Sequence, residues 1–157
     1  MRTWIITLSL LGLAGSAFGA EPAWVPDYTL ARKEAASSKK PVFVQFTSDS
    51  CVYCRRLEST TLRDPGLLKY LDRCICVKVN GPQEPGLVHQ AMVTSYPSIL
   101  IVLPDGRIVV SLSGYQPATE LIDAFSWMEE NELIAKAPIQ PVSVTRSAAK
   151  VSPPPAK

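Results

Sequence analysis

Cys51-Val52-Tyr53-Cys54 is the segment of this chain best equipped for covalent chemistry. Two intervening residues bring both sulfurs to the first turn of a helix, near enough to close a small disulfide ring and to open it again. Unpaired N–H groups and the positive dipole end of a helix start favour thiolate over thiol at the first sulfur. On that reading Cys51 attacks, and Cys54, one turn deeper, resolves the mixed disulfide. Zinc sites and structural bridges use the same spacing, so the element that carries it decides. Here the apolar run Val42-Phe43-Val44-Gln45-Phe46 precedes the pair and Arg55-Arg56-Leu57-Glu58 follows it, a strand handing over to a helix. That junction favours reversible redox chemistry, with no metal and no cofactor beyond the redox-active disulfide Cys51-Cys54.

The flanking sequence supplies the scaffold. Asp27 caps a helix through Ala36, Pro41 ends it, and the strand of residues 42–46 follows. Asp64-Pro65 offers a cap and a first-turn proline for a helical piece from Gly66 to Leu71. Cys74 to Val79 is β-rich, a short helix falls near Leu87 to Met92, and a hairpin joins residues 98–103 to 107–112 through Pro104-Asp105-Gly106. A last amphipathic helix spans about Pro117 to Ile134, with Trp24 and Trp127 assigned to the packing of flanking helices. Helices alternating with strands in this order predict a three-layer α/β domain with a central sheet between helices.

Three segments divide the 157 residues. Met1-Arg2, the apolar stretch Trp4 to Leu13 and the small residues up to Gly19 have the three-part layout of a secretory signal cleaved after residue 19. An uncleaved membrane anchor is the alternative, since Thr3 to Ala20 is uncharged. Residues 20–137 form the domain, and residues 138–157, with five prolines, read as an extended basic tail that cannot bury a core. Export implies an oxidising compartment, periplasmic or extracellular, where thiols work structurally or catalytically. The formal charge is +2, with 11 basic and 14 acidic groups between residues 20 and 135. No strong field gathers nucleic acid or anionic lipid.

Taken together, Pro41 to Phe46, the Cys51–Cys54 motif, Tyr96-Pro97 before the hairpin and Gly114 after it resemble the thioredoxin-fold pattern over about residues 24–134. Lys40-Pro41-Val42, Arg55-Arg56-Leu57-Glu58 and Asp64-Pro65 are similar, more narrowly, to the C-terminal thioredoxin-like domain of thiol:disulfide interchange proteins of the DsbD type and their small exported relatives. The resemblance implies a domain with a central mixed sheet that exchanges disulfides with protein thiols, and it leans towards a reductant fed by a membrane electron donor; the chain is expected to be a monomer. It also implies that Pro97 is cis, lies against the sulfur pair, and leaves the backbone of Tyr96 free to pair with a substrate strand. An ordinary strand-entry proline is the plainer reading.

One position departs from the family. Six residues before the first cysteine, where a buried acid usually helps move protons at the resolving cysteine, this chain has Gln45, and an amide is no base at ordinary pH. Glu58, four residues after Cys54, matches a carboxylate of the DsbD-like domain and is the candidate for proton transfer; it reads equally as a solvated helix residue paired with Arg55 or Arg63.

Cys74 and Cys76 share a strand face at positions i and i+2. Two buried small hydrophobes are the favoured reading, an auxiliary thiol pair exchanging electrons with the first pair is the sharper one, and a zinc site with Cys51 and Cys54 is the least supported. His89, the only histidine, has no nucleophile pattern near it and reads as a surface residue. Arg55 and Arg56 read as solvated, with a secondary reading in which they favour a nearby thiolate. The function expected is an exported thiol–disulfide oxidoreductase, leaning towards reductant because Val52-Tyr53 is not the Pro-His dipeptide of strongly oxidising relatives. The alternative is a redox-inactive binding or adaptor module with a structural bridge.

Overall fold

Alternate side chains along Val42–Thr47 (β2) leave for opposite faces of a sheet. Val42, Val44 and Phe46 pack with Ala31 and Ala35 on one face, while Phe43 packs with Leu57, Leu67 and Phe125 on the other. Both faces are covered by helices, which is why the strand reads as an apolar run from Val42 to Phe46 broken only by Gln45.

The computed structural model describes residues 21–134. The signal segment and the Pro-rich tail expected from the sequence lie outside the described residues. Trp24–Val25 (β1), β2, Ile75–Asn80 (β3), Ser98–Val102 (β4) and Ile108–Ser113 (β5) form one mixed sheet in the order β1-β3-β2-β4-β5. β1, β3 and β2 run parallel, and β4 is antiparallel to both β2 and β5. Tyr28–Ser38 (α1) and Pro85–Gln90 (α4) cover one face; Val52–Ser59 (α2), Pro65–Leu71 (α3) and Ala118–Glu130 (α5) cover the other. This is the three-layer α/β sandwich with a central mixed sheet that the sequence predicts. No helix among the described residues is long and apolar enough to cross a membrane.

The helix ends follow the local chemistry. An Asp27 carboxylate oxygen accepts from Leu30 N–H at 2.8 Å, and Lys39 in the left-handed region (φ 59°) closes α1 ahead of Pro41. Asp64 accepts from the N–H groups of Gly66 and Leu67 at 2.8 and 2.9 Å, with Pro65 in the first turn. Each such cap contributes about 1 kcal/mol.

Trp24 packs against the core under the helices, as expected, but from an edge strand that the sequence reading lacks. It lies in the two-residue edge strand β1, beside Cys76 in register, with its ring 6.5 Å from that of Phe43 and the Lys78 ammonium 5.0 Å above it. Two residues are too few to show a strand period, so only the partner strand reveals it.

Candidate active site

The sulfur pair sits where β2 hands over to α2. Cys51 is the N-cap of α2, with extended backbone, and its Sγ accepts from Cys54 N–H at 3.1 Å. A disulfide joins the two cysteines across a Cα–Cα distance of 5.2 Å. Cys51 is half-buried, whereas Cys54 is 1% exposed. An incoming sulfur can therefore reach the outer cysteine and not the inner one. After reduction, the same N–H group and helix dipole stabilise negative charge on Cys51.

The loop that carries Cys51 is tied down on two sides. The Asp49 carboxylate accepts from Asn80 Nδ2 at 2.8 Å, and the Asp49 carbonyl accepts from Arg55 at 3.3 Å. Cys51 N–H donates to the Ser48 carbonyl at 3.1 Å. Asn80 ends β3 opposite Thr47, the last residue of β2. Arg56 lies 4.8 Å over the Tyr115 ring. Arg55 and Arg56 are thus engaged elsewhere than on sulfur.

Tyr96-Pro97 is a cis peptide, and Pro97 is buried. Ser98 follows it and pairs with Phe46 across the β2–β4 ladder, which places Pro97 at the same sheet end as the Cys51 loop. Gly114 N–H donates to the Pro97 carbonyl at 2.7 Å. The Tyr96 ring occupies the space a side chain on Gly81 would need, so glycine at 81 is what seats it.

Glu58 has different partners from those the sequence suggested. One oxygen accepts from Gln45 Nε2 at 2.8 Å and the other pairs with Lys78 Nζ at 3.0 Å. Gln45 and Lys78 are cross-strand neighbours on β2 and β3, on the face that α2 covers, and Glu58 reaches down to both. Arg63 instead pairs with Glu21 at 3.4 Å. A cleft of about 290 Å³ lined by Trp24, Glu58 and Lys78 borders the ion pair. Lys78 was missed in the sequence, although a lone charge within Cys74 to Val79 is the signal that marks it; Asn80 carried no signal.

Cys74 and Cys76 are free thiols in the core, donating to the Tyr70 and Leu71 carbonyls at 3.3 and 3.6 Å. Burial pushes the Cys76 thiol up to about 12, helped by the Asp72 charge, and raises Cys74 further. Both therefore stay protonated at neutral pH. Four residue steps along β3, about 13 Å of strand, separate Cys76 from Asn80 and the end of the sheet that carries Cys51. The structure thus brings Cys51, Cys54 and Pro97 to one end of the sheet, places Glu58 on α2 with its carboxylate bonded to Gln45 and Lys78 of the sheet, and leaves Cys74 and Cys76 apart. Among the described residues no group of three or more His, Cys, Asp or Glu is arranged to hold a metal ion. His89 is exposed on α4.

Comparison with known proteins agrees with this geometry. Thioredoxin from Griffithsia pacifica is 31% identical over 91 residues, 58% of this chain and 81% of that protein. Thiol:disulfide interchange protein DsbD from Neisseria meningitidis is 28% identical over 96 residues, 59% of this chain but 16% of that protein, so the chain spans about a sixth of the length of this relative. The structure of the C-terminal domain of Neisseria meningitidis DsbD in its reduced form superposes with a TM-score of 0.53 at 26% identity, covering 66% of this chain and 92% of that domain. Residues 28–128, which run from the start of α1 into α5, match the family model of the thioredoxin-like domain. With that match, the mixed sheet and a cysteine pair capping α2, the chain belongs to the thioredoxin-like domain family.

Proposed function

We propose that this protein is an exported thiol–disulfide oxidoreductase that reduces disulfides in client proteins. The observation that carries the reading is the bridged pair at the start of α2, with the outer sulfur half-buried and the inner one closed to solvent. In the reduced state the Cys51 thiolate attacks one sulfur of a client disulfide. That S–S bond breaks, and its electron pair leaves on the second client sulfur, which takes up a proton. The Cys54 thiol then gives up its proton and attacks Cys51 Sγ, which releases the client as a dithiol and restores the Cys51–Cys54 bridge. A donor dithiol returns the two electrons; similarity to DsbD supports a membrane partner in that role. The exposed Val52 and Tyr53 and the backbone of Tyr96 form the client-facing edge, a reading supported by the position of Pro97 at the sulfur end of the sheet.

Equilibration of the full chain with glutathione buffers tests direction and reactivity together. A potential near the thioredoxin value, about −270 mV, is expected of a reductant; one near about −120 mV would assign an oxidant. A bridge that never equilibrates while the protein stays folded would favour the adaptor module.

Glu58 is proposed as the proton acceptor for Cys54, from which it stands one helical turn away on α2. Glu58→Gln is then expected to slow decay of the mixed disulfide about 100-fold, the low end of general acid–base contributions, and to flatten the pH profile of that step. Stopped-flow decay measured across pH checks this. An unchanged profile would leave Glu58 with a structural role only, as the partner of Gln45 and Lys78.

A further inference from the structure

Gln45 is 0% exposed, and among the described residues its side-chain carbonyl has no hydrogen-bond partner. A primary amide has a donor end and an acceptor end. Glu58, an acceptor, takes the donor end at 2.8 Å and so fixes which way the group is turned. Oε1 is left buried and without a donor, on a residue whose other amide end is bonded to α2. On α2 the residue one turn before Glu58, itself only 1% exposed, is Cys54. In the bridged state its sulfur has no hydrogen to give. In the reduced state it has one.

We infer that Gln45 Oε1 is the acceptor reserved for the Cys54 S–H, so that this buried amide stabilises the reduced form of the pair and leaves the oxidised form with an unmet polar atom. This rests on the redox reading of the Cys51–Cys54 pair proposed above. Reduction by a donor dithiol breaks the Cys51–Cys54 bond and forms the donor's own disulfide. Two electrons enter, Cys51 keeps its pair as a thiolate, one donor proton stays on Cys54 and the other goes to solvent. The proton on Cys54 completes the hydrogen bond that Gln45 lacks while the bridge is closed. Both consequences have one sign: the reduced state gains a contact, and the oxidised state carries the cost of a buried acceptor without a donor. A chain with Gln at this position therefore favours the dithiol by a route that needs no ionisable group at residue 45.

Full-length wild type and Gln45→Met, which keeps length and removes both amide ends, are to be equilibrated against glutathione. The ratio of dithiol to disulfide is expected to fall about tenfold in Gln45→Met, about 30 mV for a two-electron couple. An unchanged or increased ratio overturns the inference. Should Gln45→Met not fold, the infrared S–H stretching band of reduced wild type, isolated by difference against Cys54→Ala, gives an independent reading. A band at lower frequency than a free thiol in apolar solvent is expected, and a band at the free-thiol position overturns the inference. If the wild-type bridge proves inert to glutathione, the redox reading fails by itself, while the infrared band of the chemically reduced protein still decides whether Gln45 holds the Cys54 hydrogen.

Discussion

Replacing Cys51 with Ser is expected to bring disulfide exchange down to the uncatalysed level, while Cys54→Ser keeps the first half of the reaction and accumulates a mixed disulfide with the client. The asymmetry follows from burial. The outer sulfur at the α2 N-cap is the one that an incoming disulfide can reach, and its neighbour, 1% exposed, acts only on a sulfur already joined to Cys51. A serine hydroxyl placed at Cys51 caps the helix well but is not a nucleophile there without a base to activate it. Neither variant should unfold the domain. A ring of four residues is short, and losing its bridge costs about 2 kcal/mol on the chain-entropy estimate. Insulin-type reductase assays, with gel-shift trapping of the mixed disulfide, read both outcomes. Equal loss in the two variants, without a trapped intermediate in Cys54→Ser, would contradict the assigned order of attack.

The largest effect on stability is expected from Phe43→Ala, about 3–5 kcal/mol. Phe43 is fully buried in the central strand, in register with Cys76 on one side and Ile101 on the other, and its ring lies tilted 6.5 Å from that of Trp24. A cavity there lies between the sheet and the helices of the α2 face, where several elements meet and none can move alone to fill it. The loss is a large part of the stability of a domain of this size. Tyr53→Ala, at a residue 59% exposed, should stay within about 0.5 kcal/mol. Urea unfolding of both variants against wild type gives the comparison.

The local signals in the sequence were sufficient for most of the fold. Asp27 and Asp64-Pro65 mark helix starts because the capping carboxylate and the first-turn proline act within a few residues of themselves. The hairpin was legible because Asp105-Gly106 sets its own turn: Gly106 takes φ +100°, and Asp105 accepts from Arg107 N–H at 3.0 Å. Its strands sit within a residue of the expected ones, ending at Val102 and beginning at Ile108. What stayed hidden depends on contacts between segments far apart in the chain. β1 exists only because β3 offers an edge to Trp24 and Val25. Lys78 meets Glu58 only after β3 has paired with β2 beneath α2, whereas a reading along the chain near Glu58 offers only Arg55 and Arg63. The cysteine motif itself was visible, since a strand-to-helix junction is local. The departure at Gln45 was visible too, but which end of its amide would find a partner was not.

One feature of the architecture bears on how the protein should respond to heat. The cysteine loop leaves the end of β2, its tether Asn80 ends β3, and Pro97 leads into β4, and these are three adjacent strands of one sheet. Their lip is not a mobile lid that can melt while the rest of the molecule survives. Warming should therefore offer no interval in which a folded but inert protein accumulates: the reactive end and the sheet beneath it should fail together.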